Sequence, residues 1–203
     1  MYKFLLIVLV LTLASGERAM ANCNTSKIWQ KIELALHEKY PAIVSNFNPP
    51  VTRAQIEVIE SEIGVKLPDS VVSLYESRNG EGKLSYGVFG GWIWLSIEDV
   101  KKQYIELLDL QRSYPSKGYD ELTSIPIFYY QGEILYVESA NEEDSPIYLR
   151  NHENPQKVKL APSVCGFLGE YLQKINGDDW VYTTHKGKYV DLRPRDRELW
   201  PWQ

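Results

Sequence analysis

The stretch from Pro50 to Gly82, PVTRAQIEVIESEIGVKLPDSVVSLYESRNGEG, decides the fold. Thr52 followed three residues later by Gln55 is a capping-box start, in which each side chain can satisfy a backbone N–H that the first helical turn leaves unpaired. Ile56, Ile59 and Ile63 recur at helical spacing and Gly64 is placed to end the run, which predicts an amphipathic helix over Arg53 to Ile63. Leu67-Pro68 restarts the chain with proline at a first-turn position, where its missing N–H costs nothing. Val71, Leu74 and Tyr75 form the next apolar stripe, and Asn79-Gly80 stops it. Two short helices are therefore expected to meet at a tight corner.

On the N-terminal side, Thr25 or Ser26 can cap a helix whose Ile28, Trp29, Ile32, Ala35 and Leu36 share one face, ending at Tyr40-Pro41. Trp29 on that stripe reads as packing rather than as a binding anchor. Asn46 to Pro50 is turn-rich and links into the corner. On the C-terminal side, Tyr86 to Leu95 (YGVFGGWIWL) has the aromatic and β-branched content of a hairpin or bent strand, with Gly90-Gly91 as its turn. Alternation puts Trp92 and Trp94 on one face and Ile93 and Leu95 on the other. Ser96 then begins a helix, with Asp99 three residues on and Val100, Tyr104, Leu107 and Leu108 on its buried side.

Ser113 to Tyr119 separates a helical first half from a strand-rich second half. Ile125–Tyr130 and Glu133–Glu138 read as strands about Gln131-Gly132, and Pro146–Arg150 and Lys157–Leu160 as two more, giving an antiparallel meander. Phe167, Leu168, Tyr171, Leu172 and Ile175 return to helical spacing before Asn176-Gly177. Trp180–Thr184 and Lys188–Leu192 suggest a terminal hairpin, and residues 193–203 form a tail that either docks on the domain or serves as a sticky end. The whole is α+β: a single domain of several helices packed about a mostly antiparallel or mixed sheet.

The ordered set Ile59-Glu60, Gly64, Leu67-Pro68, Leu74-Tyr75 and Asn79-Gly80, followed by an aromatic, Gly-rich strand, resembles the SUKH superfamily, the Smi/Knr-type fungal cell-wall-assembly regulators and bacterial toxin-immunity proteins. The resemblance is clearest from Trp29 to about Leu108 and looser from Ile125 to Leu172, where the family's strand block and closing helix would lie. It implies binding rather than catalysis, and a toxin neutralised for the producing cell as the most natural partner.

Residues 1–21 differ from the rest. Lys3 supplies a positive start, Phe4 to Ala14 is almost wholly apolar, and Ala19-Met20-Ala21 offers a cleavage site, the order of a signal peptide. The apolar run is too short for a permanent transmembrane helix, which needs roughly 20 residues. A periplasmic or secreted domain over residues 22–203 is expected; translation from Met20 would make it cytoplasmic instead. Removing residues 1–21 takes away two positive charges and one negative, moving the net charge from −5 to −6. That balance repels phosphate backbones and disfavours a nucleic-acid role, while it attracts a basic protein partner.

Candidate chemistry is sparse. Cys165, His185 and Asp191 are the residue types of a nucleophile, base and orienting carboxylate, although a buried structural cysteine is the commoner case. In an exported chain Cys23 and Cys165 instead invite a disulfide that ties the N-terminal segment to the last helix. Glu138, Asn141, Glu142, Glu143 and Asp144 lack the spacing of a calcium loop and read as a solvated turn. The three histidines lack zinc spacing, and neither a phosphate loop nor Gly-x-Ser-x-Gly is present, so no cofactor or metal is expected. What stands out is 6 Trp and 14 Tyr, types enriched at recognition surfaces. Binding is expected on the strand-bearing face, with Glu138, Glu142 and Asp144 steering a basic toxin and Tyr86, Trp92 and Trp94 supplying contact area. In an envelope protein that binds glycan or scaffolds cell-wall assembly, the same three aromatics would form a stacking platform.

Overall fold

The computed structural model describes residues 24–83, 87–114, 124–139, 144–150, 157–178, 180–185 and 189–195. Helices α1 (Thr25–Lys39) and α2 (Pro41–Val44) lead into the corner formed by α3 (Arg53–Ile63) and α4 (Asp69–Ser77). The capping box at the start of α3 is complete: Thr52 Oγ1 accepts from Gln55 N at 3.3 Å, and Gln55 Oε1 accepts from Thr52 N at 2.8 Å. Gly64 ends α3 in the left-handed region, at φ 74°. Pro68 precedes α4 as its N-cap rather than lying within the first turn. Asn24, not Thr25 or Ser26, caps α1 by accepting from Lys27 N at 2.9 Å.

A buried carboxylate closes the corner. Glu60, 3% exposed, accepts from Leu67 N at 2.8 Å and from Lys66 Nζ at 2.6 Å, fastening the last turn of α3 to the segment that enters α4. Asn79 performs the same service at the far end of α4. Its Oδ1 accepts from Ile97 N at 2.7 Å and its Nδ2 donates to Glu98, which fixes the start of α5 (Ile97–Ser113).

Five strands form an antiparallel meander in the order β1 (Ile93–Trp94), β2 (Ser124–Tyr130), β3 (Glu133–Glu138), β4 (Ile147–Arg150) and β5 (Val158–Ala161). Gln131 and Gly132, at φ 46° and 95°, make the two-residue turn between β2 and β3, where both positions need a positive φ. Helix α6 (Val164–Asn176), capped by Ser163, follows the meander, and β6 (Trp180–His185) pairs with β7 (Tyr189–Pro194) in a separate hairpin. This hairpin takes in Arg193 and Pro194, the start of the expected tail; Trp200 and Trp202 lie outside the described residues.

Over its described residues, 87–95, the predicted hairpin stretch does not form the long strand pair that its composition predicts. A single bridge, Phe89 to Trp92, spans Gly90-Gly91, and only Ile93 and Trp94 pair with β2. The reason is a second carboxylate. Glu81, 6% exposed, accepts from Trp94 N at 2.9 Å and from Val88 N at 3.1 Å, so these backbone groups bond to a side chain where a ladder would otherwise hold them.

The aromatic load goes mostly inward, where each ring removes about 150–250 Å² from water. Trp29 packs its ring 5.1 Å from Phe47 and 4.9 Å from Trp94, and Phe128 on the inner sheet face meets Phe167 of α6 at 5.2 Å. Tyr75 and Tyr171 are buried but satisfied, donating to Leu95 O and Val88 O at 3.0 and 2.9 Å. On α5 the expected buried stripe holds only through Tyr104; Leu107 and Leu108 are half-buried, and Ile105, Leu110 and Tyr114 are exposed.

Candidate functional site

Strand register assigns the two sheet faces. Ile134 lies opposite Arg150, Tyr136 opposite Tyr148, and Tyr148 opposite Lys159. With the two-residue alternation of strands, Ile134, Tyr136, Glu138, Tyr148, Arg150, Lys157 and Lys159 therefore share the outer face. Leu135, Val137 and Leu149 occupy the inner one. Helix α5 packs beside β2 and covers one end of the outer face.

On this face the polar groups engage one another. Glu138 and Lys157 form an ion pair, and Lys157 Nζ sits 4.1 Å from the centroid of the Tyr148 ring. Tyr148 stacks on Tyr136 with centroids 5.5 Å apart, and the Arg150 guanidinium lies 5.5 Å from the Tyr136 centroid. Cation-over-ring contacts of this kind contribute about 0.5–2 kcal/mol according to how dry they are. Tyr136 and Arg150 are both buried, whereas Lys157 and Lys159 are exposed. Beside Arg150, the space between α5 and the β2–β3 turn is a groove of about 210 Å³, walled by Leu107, Leu110, Tyr129 and Ile134 with Gln103 and the Glu106 carboxylate also lining it.

The predicted site residues part company here. Trp92 and Trp94 are 2% and 0% exposed, so they are core residues and have no surface to offer a partner; the expectation that they form an anchor or a stacking platform is corrected. Alternation put both on one face, but Trp94 packs against Trp29, Phe47 and Phe89, and Trp92 against Tyr130. Asp144 is half-buried and accepts from Val164 N at 3.0 Å, at the first residue of α6, and Glu138 is held by Lys157, so both carboxylates have structural work. Tyr86 and Glu142 lie outside the described residues.

Cys165 is buried and disulfide-bonded, which leaves no thiol to act as a nucleophile. The sequence has one other cysteine, Cys23, outside the described residues. Thr25, two residues after it, places Oγ1 3.6 Å from Cys165 Sγ. The side chains of His185 and Asp191 also lie outside the described set. Among the described residues no three His, Cys, Asp or Glu side chains gather as metal ligands, and no helix is long and apolar enough to cross a membrane.

The features of this region that sequence reading missed are Glu81 and the tyrosine–cation row. Glu81 resembles any loop carboxylate until its burial is seen. The row was legible in principle, because Tyr136, Tyr148, Arg150, Lys157 and Lys159 occupy alternate strand positions, but only the register across three strands brings them together.

Comparison with known proteins agrees with the corner and the meander. The SMI1 / KNR4 family (SUKH-1) model matches residues 50–170, more than half of the chain. The chain belongs to this family. It is 24% identical over 136 residues to the immunity protein YxxD of Bacillus subtilis, covering 66% of this chain and 85% of that protein. It is 29% identical over 94 residues to KNR4/SMI1 homolog 2 of Debaryomyces hansenii, a match that covers 45% of this chain and spans 16% of that protein's length. The SUKH resemblance seen in the Ile59 to Gly80 motif series is thus confirmed, as is the α+β fold.

Proposed function

We propose that this SUKH-1 chain is a non-catalytic, protein-binding domain of the immunity type, which neutralises a toxin by occupying it. The observation that carries the reading is the similarity to the Bacillus subtilis immunity protein over 85% of that protein's length, rather than over one motif. The disposition of polar groups supports it. Buried carboxylates Glu60 and Glu81 are spent on backbone N–H groups, which gives both a structural role.

The chain is further proposed to act after export and removal of residues 1–21. The disulfide at Cys165 supports this, because such bonds persist in oxidising compartments and are rare in the cytosol. Mass spectrometry of the mature protein should find an N-terminus at Asn22; Met1 or Met20 at the N-terminus of protein from the cytosolic fraction would sink the export proposal and leave the binding proposal standing. For binding, if an adjacent reading frame encodes a large secreted protein with a toxic C-terminal domain, that domain should form a stable complex with this chain in size-exclusion chromatography and calorimetry. Absence of a complex between the two folded proteins would refute the reading.

A further inference from the structure

The five-stranded meander ends in two edges, and they differ. At β1, Glu81 N donates to Trp94 O at 2.8 Å and Trp94 N donates to the Glu81 carboxylate, so that edge is sealed. The separate hairpin is tied down as well, by Gly90 N on Leu192 O of β7 and by the Tyr40 hydroxyl on Trp180 O of β6. At β5 the far side is open: among the described residues the backbone of Val158 to Leu160 bonds to β4 alone. Neither face of the strand is covered there, since Val158 on the inner face, 47% exposed, and Lys159 on the outer face both reach solvent. Proteins protect an open edge by keeping it short, by placing lysines on it and by bulges. β5 has all three: four residues, Lys159 with Lys157 just before it, and a register shift against Ile147 and Tyr148. A covered strand needs none of them.

Resting on the protein-binding reading above, we infer that β5 is a docking edge, along which an extended segment of the partner protein adds a further strand to the sheet. Only another strand can satisfy a row of backbone donors and acceptors in register. Main-chain hydrogen bonds to Val158 to Leu160 hold the segment, and one of its apolar side chains packs on Val158. A second copy of this chain is the wrong occupant. A two-fold antiparallel pair centred on Val158 or on Lys159 sets lysine opposite lysine, which is destabilising. The segment is defined by its extended backbone and its apolar contact, not by its charge.

The test begins with amide hydrogen exchange of the full chain, followed by nuclear magnetic resonance. In the free chain the β5 amides that face away from β4 should exchange fast while those that face it are protected; protection of every β5 amide would overturn the inference. Short peptides selected from a random library on the immobilised full chain are the probe, and their binding should protect those outward amides. N-methylation moved along an enriched peptide should weaken binding about tenfold or more at every second residue and little between, because alternate N–H groups of a strand face its neighbour. Val158→Lys alters an exposed side chain, its fold is verified by circular dichroism, and it should weaken the same peptides about tenfold or more. No enrichment, N-methylation losses without the two-residue period, unchanged exchange along β5, or equal binding by Val158→Lys would each overturn the inference, as would a dimer of the full chain in sedimentation that protects the same amides. A toxic domain encoded by an adjacent reading frame separates the two levels. If it binds wild type and Val158→Lys equally, β5 is not its dock and the immunity reading stands. If it fails to bind wild type while the peptides behave as expected, the immunity reading falls and the docking edge stands.

Discussion

Replacing Glu81 by alanine should unfold the chain more readily than replacing any exposed carboxylate, because its side chain is buried among backbone N–H groups. Its oxygens accept from Trp94 N at 2.9 Å and from Val88 N at 3.1 and 3.3 Å, and its own N–H donates to Trp94 O at 2.8 Å. Alanine keeps that last bond but strands two buried N–H donors, each costing about 1–3 kcal/mol. Some of this is offset, because a buried carboxylate is itself expensive to desolvate. The net loss should be about 2–4 kcal/mol, a large part of the 5–15 kcal/mol that holds a typical domain together. Glu81→Gln separates the hydrogen bonds from the charge. Since Oε1 already lies within 2.9 Å of Trp94 N and 3.3 Å of Val88 N, one amide oxygen can keep both, and the loss should fall to about 1–2 kcal/mol. Urea unfolding followed by tryptophan fluorescence measures both variants. A loss in Glu81→Ala below about 1 kcal/mol, or equal losses in the two variants, would refute the argument that backbone satisfaction is what this carboxylate supplies.

Leu74, 1% exposed in the corner, should cost about 2–5 kcal/mol when cut to alanine, read as a lower urea midpoint. Cys165→Ser should destabilise the chain by about 2–5 kcal/mol, and a reducing agent should lower the melting temperature of wild type but not of the variant. Burial raises the pKa of both Tyr75 and Tyr171 above the ordinary 10. The folded chain therefore holds these phenolic protons that the unfolded chain releases, so stability is full below pH 10 and falls as the pH rises beyond it. Ultraviolet titration should show both phenols ionising only together with loss of near-ultraviolet circular dichroism.

Local signals were read well where they are self-contained. The capping box at Thr52 and Gln55, Gly64 as the stop of α3, and Gln131-Gly132 between two strands each need only neighbouring residues to act, so their sequence determines their geometry. The misreadings concern residues whose fate is decided by distant ones. Trp92 and Trp94 have the look of an exposed platform, yet Trp29 and Phe47 arrive from far along the chain and join the nearby Phe89 in enclosing Trp94, and Tyr130 meets Trp92. Glu138 and Asp144 read as free negative charge until Lys157 and the start of α6 are brought to them. Leu107 and Leu108 continue a perfect apolar stripe, but periodicity does not show where the surface that α5 packs against runs out.

Neutralisation itself is the most direct test of the account. If an adjacent reading frame encodes a large secreted protein with a toxic C-terminal domain, bacteria expressing that domain in the compartment where the chain resides should stop growing alone and grow normally when the full chain is co-expressed, with the two proteins recovered as one complex. Continued growth arrest in cells that contain folded chain at levels matching the toxin would contradict the immunity reading.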